Sequence, residues 1–336
     1  MTANPGELEA LGDAVVQNMS EEVTGRSPTR IAFDRLRKDK VAVLCASIML
    51  VLIILALLAP VITSAMNLHW NITDPEAPAP SEVLEFDGYP AIGPPFHGFT
   101  WDHPLGIAPQ TGSDNMAYLL YGLRTSLTVA FAATVFSTII GLVIGLMAGF
   151  SRGWLDSVLT FITDLFLSFP YLLGMLALAP IIISNFQGNL DQLAKAQFVT
   201  LIVILVLFGW MGLARLIRGQ VLSLREREFV QAAEVIGVPT RRILFKELLP
   251  NLVAPIVVAT SLALPAFVAA EALLSFLGLG LTGMPSLGKM LSDATPYYKD
   301  YGLYLWMPVA MIAILTLSLN LLGDSIRDAF DPKTRR

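Results

Sequence analysis

Residues 226–251 read EREFVQAAEVIGVPTRRILFKELLPN, a charged island between two apolar runs at 198–217 and 252–281. Each run is long enough to cross a bilayer, which takes about 20 apolar residues. The island must therefore lie at one membrane face, joining two antiparallel spans. Phe229, Ala232, Ala233 and Ile236 recur at helical spacing, and Gly237 is a natural C-cap for the short helix they predict. Pro239 is expected in the first turn of a second helix, where its missing N–H costs nothing. That helix carries Ile243, Leu244, Leu248 and Leu249 on one side, Arg241, Arg242 and Lys246 elsewhere, and stops at Pro250. Helix, turn and helix at a membrane surface form a shape suited to a partner's groove. Periodicity alone fits equally well a basic amphipathic loop resting on anionic lipid.

Working outward, the composition is that of a polytopic membrane protein. The 336 residues are 54% hydrophobic and 15% charged, with a mean hydropathy of +0.64; ordinary soluble domains carry about 25% charged residues. The net charge of −5 comes without any basic stripe interleaved with aromatics, so no nucleic-acid partner is expected. Cys45 is the only cysteine, which excludes an intrachain disulfide and a thiolate metal cluster. Six spans are predicted, at 41–64, 125–150, 157–184, 198–217, 252–281 and 303–322, giving an all-α fold. Gly141, Gly145 and Gly149 stand four apart on one face of the second, where a neighbouring helix could come close. Prolines 170, 180, 255 and 265 interrupt later spans and permit kinks.

Residues 1–40 form a polar tail, acidic first and basic later, with no signal-peptide pattern before the first apolar run. It is expected to be cytoplasmic, with its first part disordered. Residues 65–117 contain no Lys or Arg, many prolines and all three histidines, His69, His97 and His103, in no metal-ligand spacing. With six spans and the N-terminus inside, the cytoplasmic segments hold 18 of the 22 Lys and Arg residues. The proline-rich loop then faces outward. The chain divides into a tail (1–40), a first helix (41–64), the outer loop (65–117), a five-helix core (118–324) containing the 226–250 loop, and a cytoplasmic C-terminal tail (325–336).

Ala232-Ala233, three residues, Gly237, then a spacer and Leu249-Pro250 resemble the cytoplasmic signature of ABC importer permeases, the loop that couples them to their ATPases. HPLG at 103–106, Gly112 with Asp114, YGLRTSL at 121–127, EALLSFLGLG at 271–280 and NLLGDSIRDAFDP at 320–332 extend the likeness. Together they resemble the permease subunits of dipeptide and oligopeptide ABC importers, most closely the second of the two paired permeases. The resemblance implies a coupling site at Gln231, Ala232, Ala233, Glu234, Gly237, Leu249 and Pro250. It also implies a second permease, two ATPase subunits that hold ATP and Mg²⁺, and an external substrate-binding protein; this chain itself is expected to bind no cofactor and no metal. Relatives of this type carry di- and oligopeptides, and some carry nickel or oligosaccharides. Four positions depart from the pattern. Gln231 replaces a Glu, Ile107-Ala108 replaces Thr-Asp, and Ser113 replaces an Arg.

Other chemistry is excluded by what the motifs lack. GMPSLGKM at 283–290 fits a phosphate-binding loop through Lys289, but Met290 stands where Mg²⁺ needs Ser or Thr and no strand precedes it. An intramembrane hydrolase would need a base beside a nucleophile at depth, and no histidine lies in any predicted span. An ion-coupled secondary transporter would favour internal repeats, which this chain does not show. Two acids in apolar runs remain, Asp164 and Glu271. An unpaired charge there costs several kcal/mol, so each is expected to face protein or water. For Asp164, Arg215 or Arg218 is within reach, as a helix-to-helix ion pair or as part of the substrate path. Glu271 is a candidate for a gate or pathway wall.

Overall fold

The computed structural model describes residues 28–71, 75, 77–184, 190–281 and 283–331. The expected disorder at the start of the N-terminal tail lies outside them. Among the described residues there is no strand beyond two isolated bridges, Leu84 with Pro90 and Ile107 with Asp114. Helices are what a bilayer allows, because they satisfy every backbone polar group within one segment.

The tail contributes a helix, α1 (Pro28–Lys38), which leads through Asp39 into the first span, α2 (Lys40–Ala65). Asp39 is extended, with ψ 114°, and its carboxylate accepts the Val41 N–H at 2.9 Å, capping α2. A hydrogen bond from Ser325, ahead of that backbone bond, holds the Asp39 carboxyl below its usual range. Along α2 the buried residues are Ala42, Cys45, Met49, Leu52, Ala56, Ala59 and Thr63. Their alternating three- and four-residue spacing makes one narrow stripe toward the bundle, while Val41, Leu44, Val51 and Leu57 point away from it.

A short turn of helix, α3 (Pro80–Val83), lies in the proline-rich segment, and α4 (Asn115–Phe150) follows, with Asp114 as its N-cap. This helix begins ten residues before the apolar run that signals it, because the capping carboxylate accepts the Ala117 N–H and so fixes an earlier start. Tyr301 is wholly buried beneath this segment, its hydroxyl accepting from Asn115 Nδ2 at 2.8 Å and donating to the Pro94 carbonyl at 3.2 Å. His103 pairs with Asp114 at 2.9 Å. The proline-rich segment is thus folded onto the end of the bundle.

The third span is broken. Its halves, α5 (Trp154–Ser168) and α6 (Tyr171–Ile183), meet at 84°. Pro170 disfavours a helical conformation at the residue before it, and Phe169 is extended with ψ 134°. Next, α7 (Leu190–Leu207) and α8 (Met211–Arg225) form one long span across a short break. The island contains α9 (Glu228–Val235) and α10 (Thr240–Arg242), and a wider π-helical stretch, Ile243–Leu248, runs into α11 (Leu249–Leu274). Predicted as a plain loop, 282–301 instead contains α12 (Leu287–Ala294), capped by the Ser286 hydroxyl. The last span, α13 (Gly302–Phe330), continues eight residues past its apolar run. Among the described residues five helices are long and apolar enough to cross a membrane, and the bent pair taken as one span makes a sixth.

The seam between α4 and α8 is close-packed along three successive glycines. A Cβ on Gly141 would stand 2.7 Å from the Trp210 carbonyl; on Gly145, 2.7 Å from both the Ala214 carbonyl and the Ile217 Cβ; on Gly149, 2.6 Å from the Val221 Cβ. Gly212, by contrast, has nothing within 4 Å of such an atom. Gly145→Val is therefore expected to destabilise the bundle by about 1–3 kcal/mol through overpacking. Gly212→Ala should be neutral or stabilising by up to about 1 kcal/mol. Thermal unfolding of the purified chain in detergent, read for both variants, checks the contrast.

Candidate functional site

The island is held to the bundle by its own apolar residues. Val230, Ile243 and Leu248 are buried in one cluster with Leu146 of α4, Ile217 and Val221 of α8 and Leu252 of α11. Arg225 at the end of α8 reaches the Gly149 and Phe150 carbonyls at 3.4 and 3.5 Å, where the C-terminus of α4 leaves acceptors unpaired. Arg152, in the turn after α4, lies 3.7 Å from Glu234.

The turn within the island is set by Gly237. Its φ is +80°, the Val238 N–H bonds to the Ala233 carbonyl and the Gly237 N–H to the Glu234 carbonyl, which is the Schellman closure of α9. Open space surrounds the missing Cβ, so the glycine serves conformation and not packing. Pro239 does not enter the next helix. It is extended with ψ 140° and serves as the N-cap of α10, because the closure of α9 returns the chain one residue later than a direct helix start requires. The π-helical widening falls where the Pro250 ring would otherwise press on the Lys246 carbonyl.

The outer face of the loop is apolar. Phe229, Ala232, Val235 and Ile236 point away from the bundle, Val235 and Ile236 with 87% and 80% of their surface open. Of the stripe read from spacing, Phe229, Ala232 and Ile236 are thus turned outward, whereas Ala233 packs inward beside Val230, the inner anchor. Gln231 is exposed and its amide donates to the Glu226 carbonyl at 3.4 Å. Ala233 and Leu249 are half-buried, while Glu234, Gly237 and Pro250 are exposed.

The two intramembrane acids have different surroundings. Asp164 on α5 meets Arg215 on α8 at 2.6 Å, the two being 50% and 61% exposed, beside a cavity of about 300 Å³ between α4, α5 and α8. Two turns nearer the end of the bundle, Arg218 grips both oxygens of Asp156 at 2.9 and 3.3 Å, and Thr160 donates to the same carboxylate. Glu271 is wholly buried, and the Ser275 hydroxyl donates to its Oε1 at 2.8 Å. The hydroxyls of Ser126 and Ser286 also face that carboxyl. They in turn accept the N–H groups of Leu287 and Lys289, at 3.3 and 3.2 Å, in the first turn of α12. Glu271 thus joins α11 to α4 and α12 and faces hydroxyls, not open space. Spacing gave no warning of this, since Ser126 and Ser286 lie 145 and 15 residues from Glu271.

Residues 141–336 match the family described as "Binding-protein-dependent transport system inner membrane component". The chain belongs to this family. It is a permease of a binding-protein-dependent ABC importer, a multi-pass membrane protein. Residues 27–78 further match the N-terminal TM domain of oligopeptide transport permease C. The permease is 35% identical to the dipeptide transport system permease protein DppC of Alkalihalophilus pseudofirmus, over 94% of this chain and 93% of that one. It is 32% identical to the oligopeptide transport system permease protein OppC of Escherichia coli K12, over 98% and 99%. Among solved structures, the inward-facing MetNI methionine ABC transporter matches with a TM-score of 0.51 at 20% identity, over 64% of this chain and 96% of that one. This last likeness concerns the fold.

Within the permease, the two charge pairs between α5 and α8 differ in how firmly they are held. Asp156 accepts three hydrogen bonds, two from a guanidinium, and is less exposed than Asp164. Asp156→Asn is expected to cost about 2 kcal/mol, the scale of a charge-assisted bond. Asp164→Asn should cost less than about 1 kcal/mol, as half-exposed pairs do. Thermal unfolding of both variants at matched ionic strength reads the difference.

Proposed function

We propose that this permease forms half of a translocation pathway for di- or oligopeptides, with a second, similar permease as the other half. Its likeness to dipeptide and oligopeptide permeases over nearly the whole chain supports the substrate class. Two ATPase subunits, carrying the ATP and Mg²⁺, dock one on each permease, and a binding protein delivers substrate to the opposite face. Both termini and the 226–250 loop are cytoplasmic, in keeping with where the basic residues concentrate. The chain is a non-catalytic subunit.

The observation that carries the coupling role is the outward apolar tip, Val235 and Ile236, on a loop whose inner side is packed into α4, α8 and α11. An exposed aliphatic pair at the end of a rigidly seated short helix is suited to a hydrophobic groove on a soluble partner. Closure of the ATPases around ATP then moves the loop, and α4, α8 and α11 must follow, turning the pathway from inward- to outward-facing; hydrolysis resets it. Gln231, Ala232, Ala233, Glu234, Gly237, Leu249 and Pro250 form or shape this contact. Asp164, paired with Arg215 beside the cavity, is placed on the cytoplasmic half of the pathway.

The test is reconstitution of the complete importer in proteoliposomes. Val235→Asp with Ile236→Asp removes roughly 3–6 kcal/mol of apolar burial from the docked state, which is a loss of about 100-fold or more in ATPase association. Gly237→Arg should abolish stimulated hydrolysis and peptide uptake while the membrane subunits still assemble. Uptake that persists without ATP would overturn the coupling reading. ATP-driven uptake of nickel or an oligosaccharide, with labelled di- and tripeptides ignored, would overturn the substrate.

A further inference from the structure

We propose that α1 is a binding surface for anionic phospholipid, with Phe33 entering the bilayer and Arg30, Arg37, Lys38 and Lys40 contacting headgroup phosphates. The inference depends on the membrane embedding of α2 and not on the substrate or the ATPases.

The position of α1 is fixed from two sides. Only Asp39 separates it from the apolar α2, and the extended backbone there turns α1 off the axis of the span, so that it does not simply lengthen it. On its inner side Ala32 is buried, and the Arg35 guanidinium donates to the Ala329 and Asp331 carbonyls, both at 3.3 Å, at the end of α13. Helix α1 is therefore pinned where α2 enters and α13 leaves the membrane, at headgroup depth.

Its outer face carries the chemistry of that layer. Arg30, Phe33 and Arg37 are three and four residues apart and all exposed, Phe33 by 66%. Lys38 and Lys40 are exposed beside them, and the outward apolar row of α2 starts at Val41 and Leu44. An aromatic ring flanked by long basic side chains is the pattern of an interfacial helix, with the ring buried below the phosphates and the cations reaching up to them. Among the described residues of α1 and its junction with α2, both acids are engaged. Asp39 caps α2, and Asp34 is half-buried with a partner of its own. What remains on the outer face is cationic, so the complementary occupant is an anionic lipid, not phosphatidylcholine.

The experiment uses the full-length permease in nanodiscs of phosphatidylcholine, alone or with about 30% phosphatidylglycerol. Lipid retained on purification is measured by native mass spectrometry, and depth by a nitroxide on Phe33→Cys, with Cys45 buried as the unlabelled background. We expect the label at acyl-chain depth in the anionic discs and nearer water in the neutral ones. Replacing Arg30, Arg37 and Lys38 by Gln should lower the retained ratio of phosphatidylglycerol to phosphatidylcholine at least about tenfold, since each basic side chain near the surface favours anionic lipid several-fold. The corresponding Arg30→Lys, Arg37→Lys variant should keep it. Arg35 is left intact because it holds α13, and unchanged thermal unfolding separates lost lipid from lost folding. An unchanged ratio in the Gln variant would overturn the proposal. So would a label that stays in water in both discs and becomes immobile only when ATPase subunits are added, which would make α1 a protein-docking face.

Discussion

At Gly141, Gly145 and Gly149 the backbone of α4 meets α8 with no room for a methyl group, and the 226–250 loop is built outward from that seam. Ile217 and Val221, which fill the space over the last two glycines, belong to the same cluster that receives Val230, Ile243 and Leu248. Arg225 closes the seam by reaching the free carbonyls at the end of α4. Bilayer lipid supplies no hydrophobic drive between helices, so close van der Waals contact of this kind does most of the holding. A force applied to the loop therefore has no soft joint before the spans. It moves α4 and α8 together because neither can separate from the other without opening a void.

At the opposite end of the bundle polar groups do the equivalent work. Glu271 would be costly in the membrane if left alone; the Ser275 hydroxyl donates to its Oε1, and the Ser126 and Ser286 hydroxyls face the carboxyl, whose buried Oε2 has no hydrogen bond among the described residues. Two of those hydroxyls also accept N–H groups from the first turn of α12, so the carboxyl, α4, α11 and α12 form one connected unit. Gly122 and Gly288 allow the approach, lying against Ser286 and the Ala272 carbonyl. Glu271, the candidate for a gate or pathway wall, is enclosed at this helix junction, its carboxyl accepting from the Ser275 hydroxyl.

Much of the architecture was legible because its causes are local. The apolar run of α2, the four-residue spacing of the glycines and the Gly237 turn each follow from local composition, periodicity or one residue's allowed φ. Asp164 had Arg215 within reach on depth alone. What could not be read depends on contacts distant in sequence. Prolines 180, 255 and 265 stand inside continuous helices, whereas Pro170 marks an 84° break. Composition does not separate them, because neighbouring helices decide whether a freed carbonyl is tolerated. The apolar residues of α9 were visible, but which side of that helix faces in is decided by Leu146, Ile217 and Leu252 on other helices. Likewise, the burial of Glu271 rests on Ser126, far along the chain.

Gln231 shows how one neutral residue can suit such a loop. A glutamate there could only accept hydrogen bonds, whereas the Gln231 amide donates to the Glu226 carbonyl at the end of α8. The loop is thereby fastened across its own entrance by a bond that salt does not screen. Glu234 keeps a charged contact with Arg152 in the turn after α4, and at 3.7 Å it is exposed and weak. The tip is left with two nearly bare aliphatic side chains and little fixed charge. In the coupling proposed above, recognition at such a tip would rest on apolar area and shape, and the strength of coupling on how firmly Val230, Ile243 and Leu248 seat the loop beneath it.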